Sequence, residues 1–196
     1  MLTTYTRRGP GQSYLKSVLS ERINQVLENK NENLQINPLK VYERYLLMEI
    51  SYLYGVLKVQ EEILDQLEQE HGELPEGVKK STSAEEAATD PMVKDMVEPR
   101  LKRLMEIADS FLDTIIASLD SVPYGIRWIC KQIRSLTKRK YPDASEYAIC
   151  SLIGGFFFLR FLNPAIVTPQ AYMLIDGNPS SHPRTTLTMV KLEEHG

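Results

Sequence analysis

An all-α fold follows from three features of the 196-residue chain. Apolar residues recur at three- and four-residue steps over most of its length, the mark of helices with one buried face. Proline, often behind a capping side chain, stands at most points where one such run stops and the next starts. No stretch shows the strict apolar–polar alternation of a half-buried strand.

The elements follow in order. Residues 1–12 carry Gly9, Pro10 and Gly11 and read as a loop with Arg7 and Arg8 at its tip. Such a tip is either a frayed basic terminus or a mobile loop that presents a guanidinium to a partner. Leu15, Val18, Leu19, Ile23 and Val26 predict a helix over 13–29. Asn37-Pro38, a cap followed by a first-turn proline, opens a long helix over 38–70, with Val41, Tyr45, Leu46 and Ile50 in its buried stripe. Residues 71–90 are the clearest internal break, an exposed excursion with one short helical turn at 83–88. It is a loop within one domain, because neither side alone carries the apolar surface for a core. Asp90-Pro91 restarts helix through Leu104, Ile107, Phe111 and Ile115 to about Leu119, with a kink or break near 97–98 caused by Pro99. Pro123 opens a helix to about 137 whose inward residues are Ile126, Ile129, Cys130 and Ile133, with Trp128 nearby. It ends in Lys138-Arg139-Lys140, which suits the negative end of a helix and reads as a solvated terminus. Asp143 caps a helix over 144–162, with Glu146 at the capping-box position. The Gly154-Gly155 pair inside it implies close approach of another backbone. Asn163-Pro164 ends it. The tail is loop-rich, with the start of a helix over 185–192.

Composition excludes several function classes. Hydrophobic residues make up 42% and charged residues 25%, an ordinary globular balance. A net charge of −3 predicts no bulk attraction to nucleic acid. Cys130 and Cys150 lack metal-ligand spacing and read as reduced, buried thiols of a cytosolic protein. His71, His182 and His195 all fall in predicted loops, so no metal site is proposed. No phosphate loop of the G-x-x-x-x-G-K type occurs, no nucleophile–base pair can be assembled, and no cofactor is implied. The chain is not expected to be an enzyme. The start of the chain has no apolar secretory segment, and residues 152–167 are too short and too interrupted by Arg160, Asn163 and Pro164 to span a membrane. The expected location is the cytosol, at most peripheral to membrane or cytoskeleton through partners.

Residues 156–169, FFFLRFLNPAIVTP, are the most apolar run, and Arg160 lies in the middle of it. An arginine stays charged at biological pH and is rarely buried unpaired. Its five donors call for either backbone carbonyls of an irregular segment or a carboxylate on a neighbouring helix.

The stretch FLRFLNPAIVTP, residues 158–169, closely resembles the signature of Ras GTPase-activating (RasGAP) domains. PYGIRWIC, 123–130, resembles the helix that precedes it, and RGPGQ, 8–12, resembles the loop that opens the catalytic core. The PYGIR segment, the YPDA turn at 141–144 and the Gly-Gln loop look most like the IQGAP-type branch. The likeness covers roughly residues 5–192, and it implies a single elongated helical domain over 1–196, cut short at its C-terminal end. It implies a small GTPase of the Ras superfamily as partner. The domain would stimulate hydrolysis by inserting an arginine, worth about 10³–10⁵-fold when supplied in trans. By the resemblance Arg160, with Phe158 and Leu159, braces the arginine loop. Gly9, Gly11, Gln12, Asn163, Pro164 and Ala165 lie against the GTPase. If Gly9 sets the register, Arg8 is the finger, with Arg7 beside it. If Gly11-Gln12 sets it, as the distance to Leu15 favours, Pro10 takes that place, and activity depends on Arg7 or Arg8 reaching in from a shifted loop. IQGAP-type domains often bind GTP-loaded small GTPases without accelerating hydrolysis, as cytoskeletal or cytokinesis scaffolds. Their signature usually has tyrosines where this chain keeps Phe158-Leu159, which favours activity.

Overall fold

The computed structural model describes residues 6–54 and 83–190, with the backbone alone at 47 and 49–54. The expected helix over 55–70 and most of the excursion at 71–90 lie outside the described residues. All regular structure among the described residues is helical. The chain divides into two compact units, Leu34–Arg103 and the remainder.

In the unit Leu34–Arg103, local side chains start each helix. Asn37 Oδ1 accepts from the Lys40 amide at 3.2 Å where α2 (Pro38–Tyr54) begins. Ser83 and Glu86 form a reciprocal capping box at α3 (Ala84–Thr89). Asp90 Oδ1 accepts from the amides of Met92 and Val93 at 2.8 and 3.2 Å and opens α4 (Pro91–Ala117). Val41, Leu46, Ala87 and Val93 are buried. The break expected at Pro99 does not occur, since α4 runs through it. Pro99 and Asp95 are both exposed, so the carbonyl left without its N–H partner is open to water.

The other unit is built on α1 (Gly9–Glu28), which starts four residues earlier than the periodicity predicts. Leu15, Leu19 and Ile23 are fully enclosed on its inner face, as are Phe111 and Ile115 of α4. A short 3₁₀ turn, Leu119–Ser121, leads to α5 (Tyr124–Lys140). Next comes α6 (Glu146–Gly155), capped not by Asp143 but by Ser145, whose Oγ accepts from the Ala148 amide at 3.1 Å. The Glu146 carboxylate takes both Arg134 and Lys138 of α5. The Lys138 hydrogen bond first, and the Arg134 charge with it, lower the Glu146 pKa. Tyr14 of α1 donates to Ser118 Oγ at 2.8 Å, because the Ser118 proton goes to Ile115 O. Burial pushes the Tyr14 phenol upward, against the opposing pull of Ser118. Tyr14→Phe is expected to cost about 1 kcal/mol in urea unfolding, the net worth of one part-buried hydrogen bond.

Two expectations are corrected. Cys150 is exposed and Cys130 half-buried, both on the wall of an apolar cleft of about 440 Å³ between α5 and α6. Of the Gly154-Gly155 pair, a Cβ built on Gly155 would meet nothing within 4 Å, so the expected close approach does not occur at Gly155, while Gly154 lines the cleft. Gly155 is helical, at φ −54° and ψ −42°. Gly155→Ala is therefore expected to stabilise the protein by about 1 kcal/mol, read as a raised thermal midpoint.

Beyond Gly155 the helix changes its winding. Phe156–Leu162 is π-helical, and the Asn163 amide donates five residues back, to Phe158 O. A short α7 (Asn163–Val167), a 3₁₀ turn (Pro169–Tyr172) and α8 (Ser181–Met189) complete the described chain. The continuous helical run Glu146–Val167 has 22 residues and holds an 18-residue window with a mean hydropathy of 1.6, so by length and composition it reaches what a membrane crossing needs. The sequence reading of a segment too short is corrected on that point. Phe157, Phe161, Leu162, Ala165 and Ile166 of this run are nevertheless buried in the protein's own core.

Candidate functional site

The π-helical turn decides what the apolar signature presents. An α-helix repeats every 3.6 residues, and the wider π turn adds nearly one more. Phe157, Phe161 and Leu162 thereby share the inner face, while Leu159 and Arg160 turn outward. The expectation that backbone carbonyls of an irregular segment or a carboxylate hold Arg160 is corrected: the residue is exposed, with no hydrogen bond or ion pair to any described residue, so no such contact ties it to the arginine loop as a brace. Phe158 is half-buried and meets Phe157 edge-on at 5.6 Å. Of the three residues that follow, Asn163 and Ala165 are buried, and only Pro164 is partly open. Asn163 has a partner within the protein.

Across the unit, the start of α1 carries the two arginines. Thr6 and Arg7 are helical and Thr6 is buried. Arg8 then breaks the helix with an extended backbone, φ −147° and ψ 156°. Gly9 follows at φ +67°, the left-handed region that glycine alone enters freely. Pro10 stands in the first turn of α1, where its missing N–H is harmless. The Ser13 hydroxyl donates back to Gly9 O at 3.1 Å. The predicted loop over 1–12 thus contracts, within the described residues, to a one-residue break at Arg8.

The two arginines differ in environment. The Arg7 guanidinium lies over the Tyr172 ring, 5.6 Å from its centroid. Arg8 is exposed and has no partner among the described residues. Tyr172 also receives Gln12, whose Nε2 donates to its carbonyl at 3.3 Å. Further along α1, the Tyr14 and Phe161 rings stack at 5.9 Å and 14°. The Ser20 hydroxyl reaches Leu174 O at 3.3 Å. Gly11 is buried against this seam. The anchor of the break is therefore the 161–174 segment, chiefly Tyr172. Sequence reasoning missed Tyr172, because an aromatic in a loop-rich tail gives no periodic signal. The chain turns there at Met173, a non-glycine residue at φ 56°. That conformation costs about 1 kcal/mol, and it returns Leu174 to the core.

The arrangement is that of a helical binding domain with a free guanidinium on a break that is tied down on both sides. No group of three or more metal-ligating side chains occurs among the described residues. The chain matches the RasGAP family, GTPase-activator protein for Ras-like GTPase, over residues 1–192. It is 30% identical over its whole length to the Ras GTPase-activating-like protein IQGAP2 of Mus musculus, of which it covers 12%. It is 34% identical over 97% of its length to the Ras GTPase-activating-like protein gapA of Dictyostelium discoideum, of which it covers 20%. This chain belongs to the RasGAP family. It spans between about an eighth and a fifth of the length of these relatives.

Proposed function

We propose that residues 1–196 form one RasGAP-like domain that binds a GTP-loaded Ras-type GTPase and inserts Arg8 into its phosphate site. The observation that carries this is the exposed Arg8 in an extended break directly before a positive-φ glycine. The chemistry needs a guanidinium that reaches out of the protein, since charge grows on the phosphates in the transition state and the donor must already be in place. It also needs a firm base, because a misplacement of about 1 Å can lose 10²-fold. Arg7 on Tyr172 and Gln12 on the Tyr172 carbonyl supply that base. Arg160, Leu159 and Pro164 are open to a partner, while Asn163 and Ala165 act through the packing beneath. No nucleotide site of the domain's own is invoked. The domain works in the cytosol, peripheral to membrane or cytoskeleton through its partner.

The second reading is a scaffold domain that binds the GTP-loaded partner and leaves hydrolysis unchanged. It rests on the Gly11-Gln12 register, which puts the uncharged, exposed Pro10 at the finger position. Single-turnover GTP hydrolysis by Ras-type GTPases, with and without the domain, decides between the two. Acceleration supports the first. Retained binding with an unchanged rate removes it in favour of the second.

A further inference from the structure

The helix α5 carries Arg127, Lys131, Arg134, Lys138, Arg139 and Lys140 and no carboxylate, in a chain whose net charge is −3. Its inner face is apolar, with Ile126 fully buried. At 100° per residue, Tyr124, Trp128, Lys131 and Lys138 fall in one stripe on the opposite face, flanked by Arg127 and Arg139. Both aromatics on that stripe are open to solvent, Tyr124 at 75% and Trp128 at 50% exposure. Tyr141, just past the helix end, is 57% exposed and lies under the Lys140 ammonium at 5.4 Å.

Internal pairing accounts for only part of this charge. Arg134 and Lys138 share the single Glu146 carboxylate, which offsets one of their two charges. Arg127, Lys131 and Arg139 have no ion-pair partner among the described residues. A solvated helix end explains Lys138-Arg139-Lys140, but not a tryptophan and a tyrosine one turn apart among cations at the other end.

We propose that the outer face of α5 is a peripheral docking surface for an anionic membrane. The helix lies in the plane of the headgroups: the basic side chains meet lipid phosphates and carboxylates, and Tyr124 and Trp128 enter the interface with their polar edges still wet. Amphipathic rings favour that depth, and each lysine or arginine near an anionic leaflet adds attraction that salt screens. Charge complementarity selects the partner. A neutral bilayer would leave the cations unpaired, and an acidic protein surface would have no headgroup layer for the two exposed rings. This inference is independent of which GTPase reading holds.

Trp128 is the only tryptophan of the chain, so its emission reports on this face alone. The intact chain is mixed with phosphatidylcholine vesicles with and without about 30% phosphatidylserine, and emission and co-sedimentation are followed. The expected result is a blue shift and sedimentation with the anionic vesicles only, both lost in about 0.5 M NaCl. Lys131→Glu with Arg139→Glu, checked for unchanged helicity by circular dichroism, should weaken partitioning by about tenfold or more. Three outcomes overturn the proposal: no shift with anionic vesicles, an equal shift with neutral ones, or a shift produced by soluble polyglutamate and not by vesicles.

Discussion

Arg8→Ala is expected to lower domain-stimulated GTP hydrolysis by about 10³-fold or more, with little change in binding to the GTP-loaded partner. The split follows from geometry. Arg8 is exposed and makes no hydrogen bond, ion pair or ring contact with any described residue, so its removal leaves no orphaned partner. In the proposed role its whole contribution is made to charge that develops in the transition state, which raises the rate and not the ground-state affinity. Arg7→Ala should behave differently. It removes a cation–π contact of about 0.5–1 kcal/mol at a partly open site and loosens the base of the break. A rate loss of about tenfold is expected there. Single-turnover rates at saturating domain, set beside equilibrium binding of both variants, check the pair. If Arg7→Ala abolishes stimulation and Arg8→Ala does not, the roles are reversed.

Phe161→Ala should be the most damaging of the core changes, at about 3–5 kcal/mol. The side chain is fully buried, stacks on Tyr14 and meets Phe157 at 5.8 Å. Its removal would open a void at the seam between α1 and the π-helical turn, beside the Tyr14 and Phe157 rings. For a protein of this size each kcal/mol moves the midpoint by about 2–4 °C, so a fall near 10 °C or more is expected by circular dichroism. Leu159→Ala, two residues away on the exposed side, should stay within about 0.5 kcal/mol. Equal losses at the two positions would mean that Leu159 is packed in the core and that the burial pattern of this run is wrong.

The contrast between Phe161 and Leu159 marks where the sequence stops being readable. Helices with one apolar stripe were legible, because Leu15, Leu19 and Ile23, or Phe111 and Ile115, declare their face by spacing. Caps were legible at Asn37 and Asp90, where a short polar side chain has an unpaired amide within reach. In FFFLRFL no polar spacing exists to set the phase, so α and π winding predict the same composition and opposite neighbours for Arg160. The signature was therefore recognisable as a family mark while its geometry was not. The site divided in the same way. Arg7, Arg8 and Gly9 were visible as a basic turn, but the residue that separates the two arginines, Tyr172, lies 164 positions beyond Arg8 and only folding brings them together.

The backbone at Gly9 has one more consequence. Space there is open, since a Cβ would meet nothing within 4 Å, so the position does not demand a small residue. It demands a residue without handedness, because φ +67° is the mirror image of what L-amino acids prefer. A D-alanine would sit at this point without strain and would stiffen the turn that carries Arg8, whereas L-alanine would resist it. Among genetically encoded residues only the achiral one fits freely. The reach of the arginine is thus set by the symmetry of its neighbour and not by that neighbour's size.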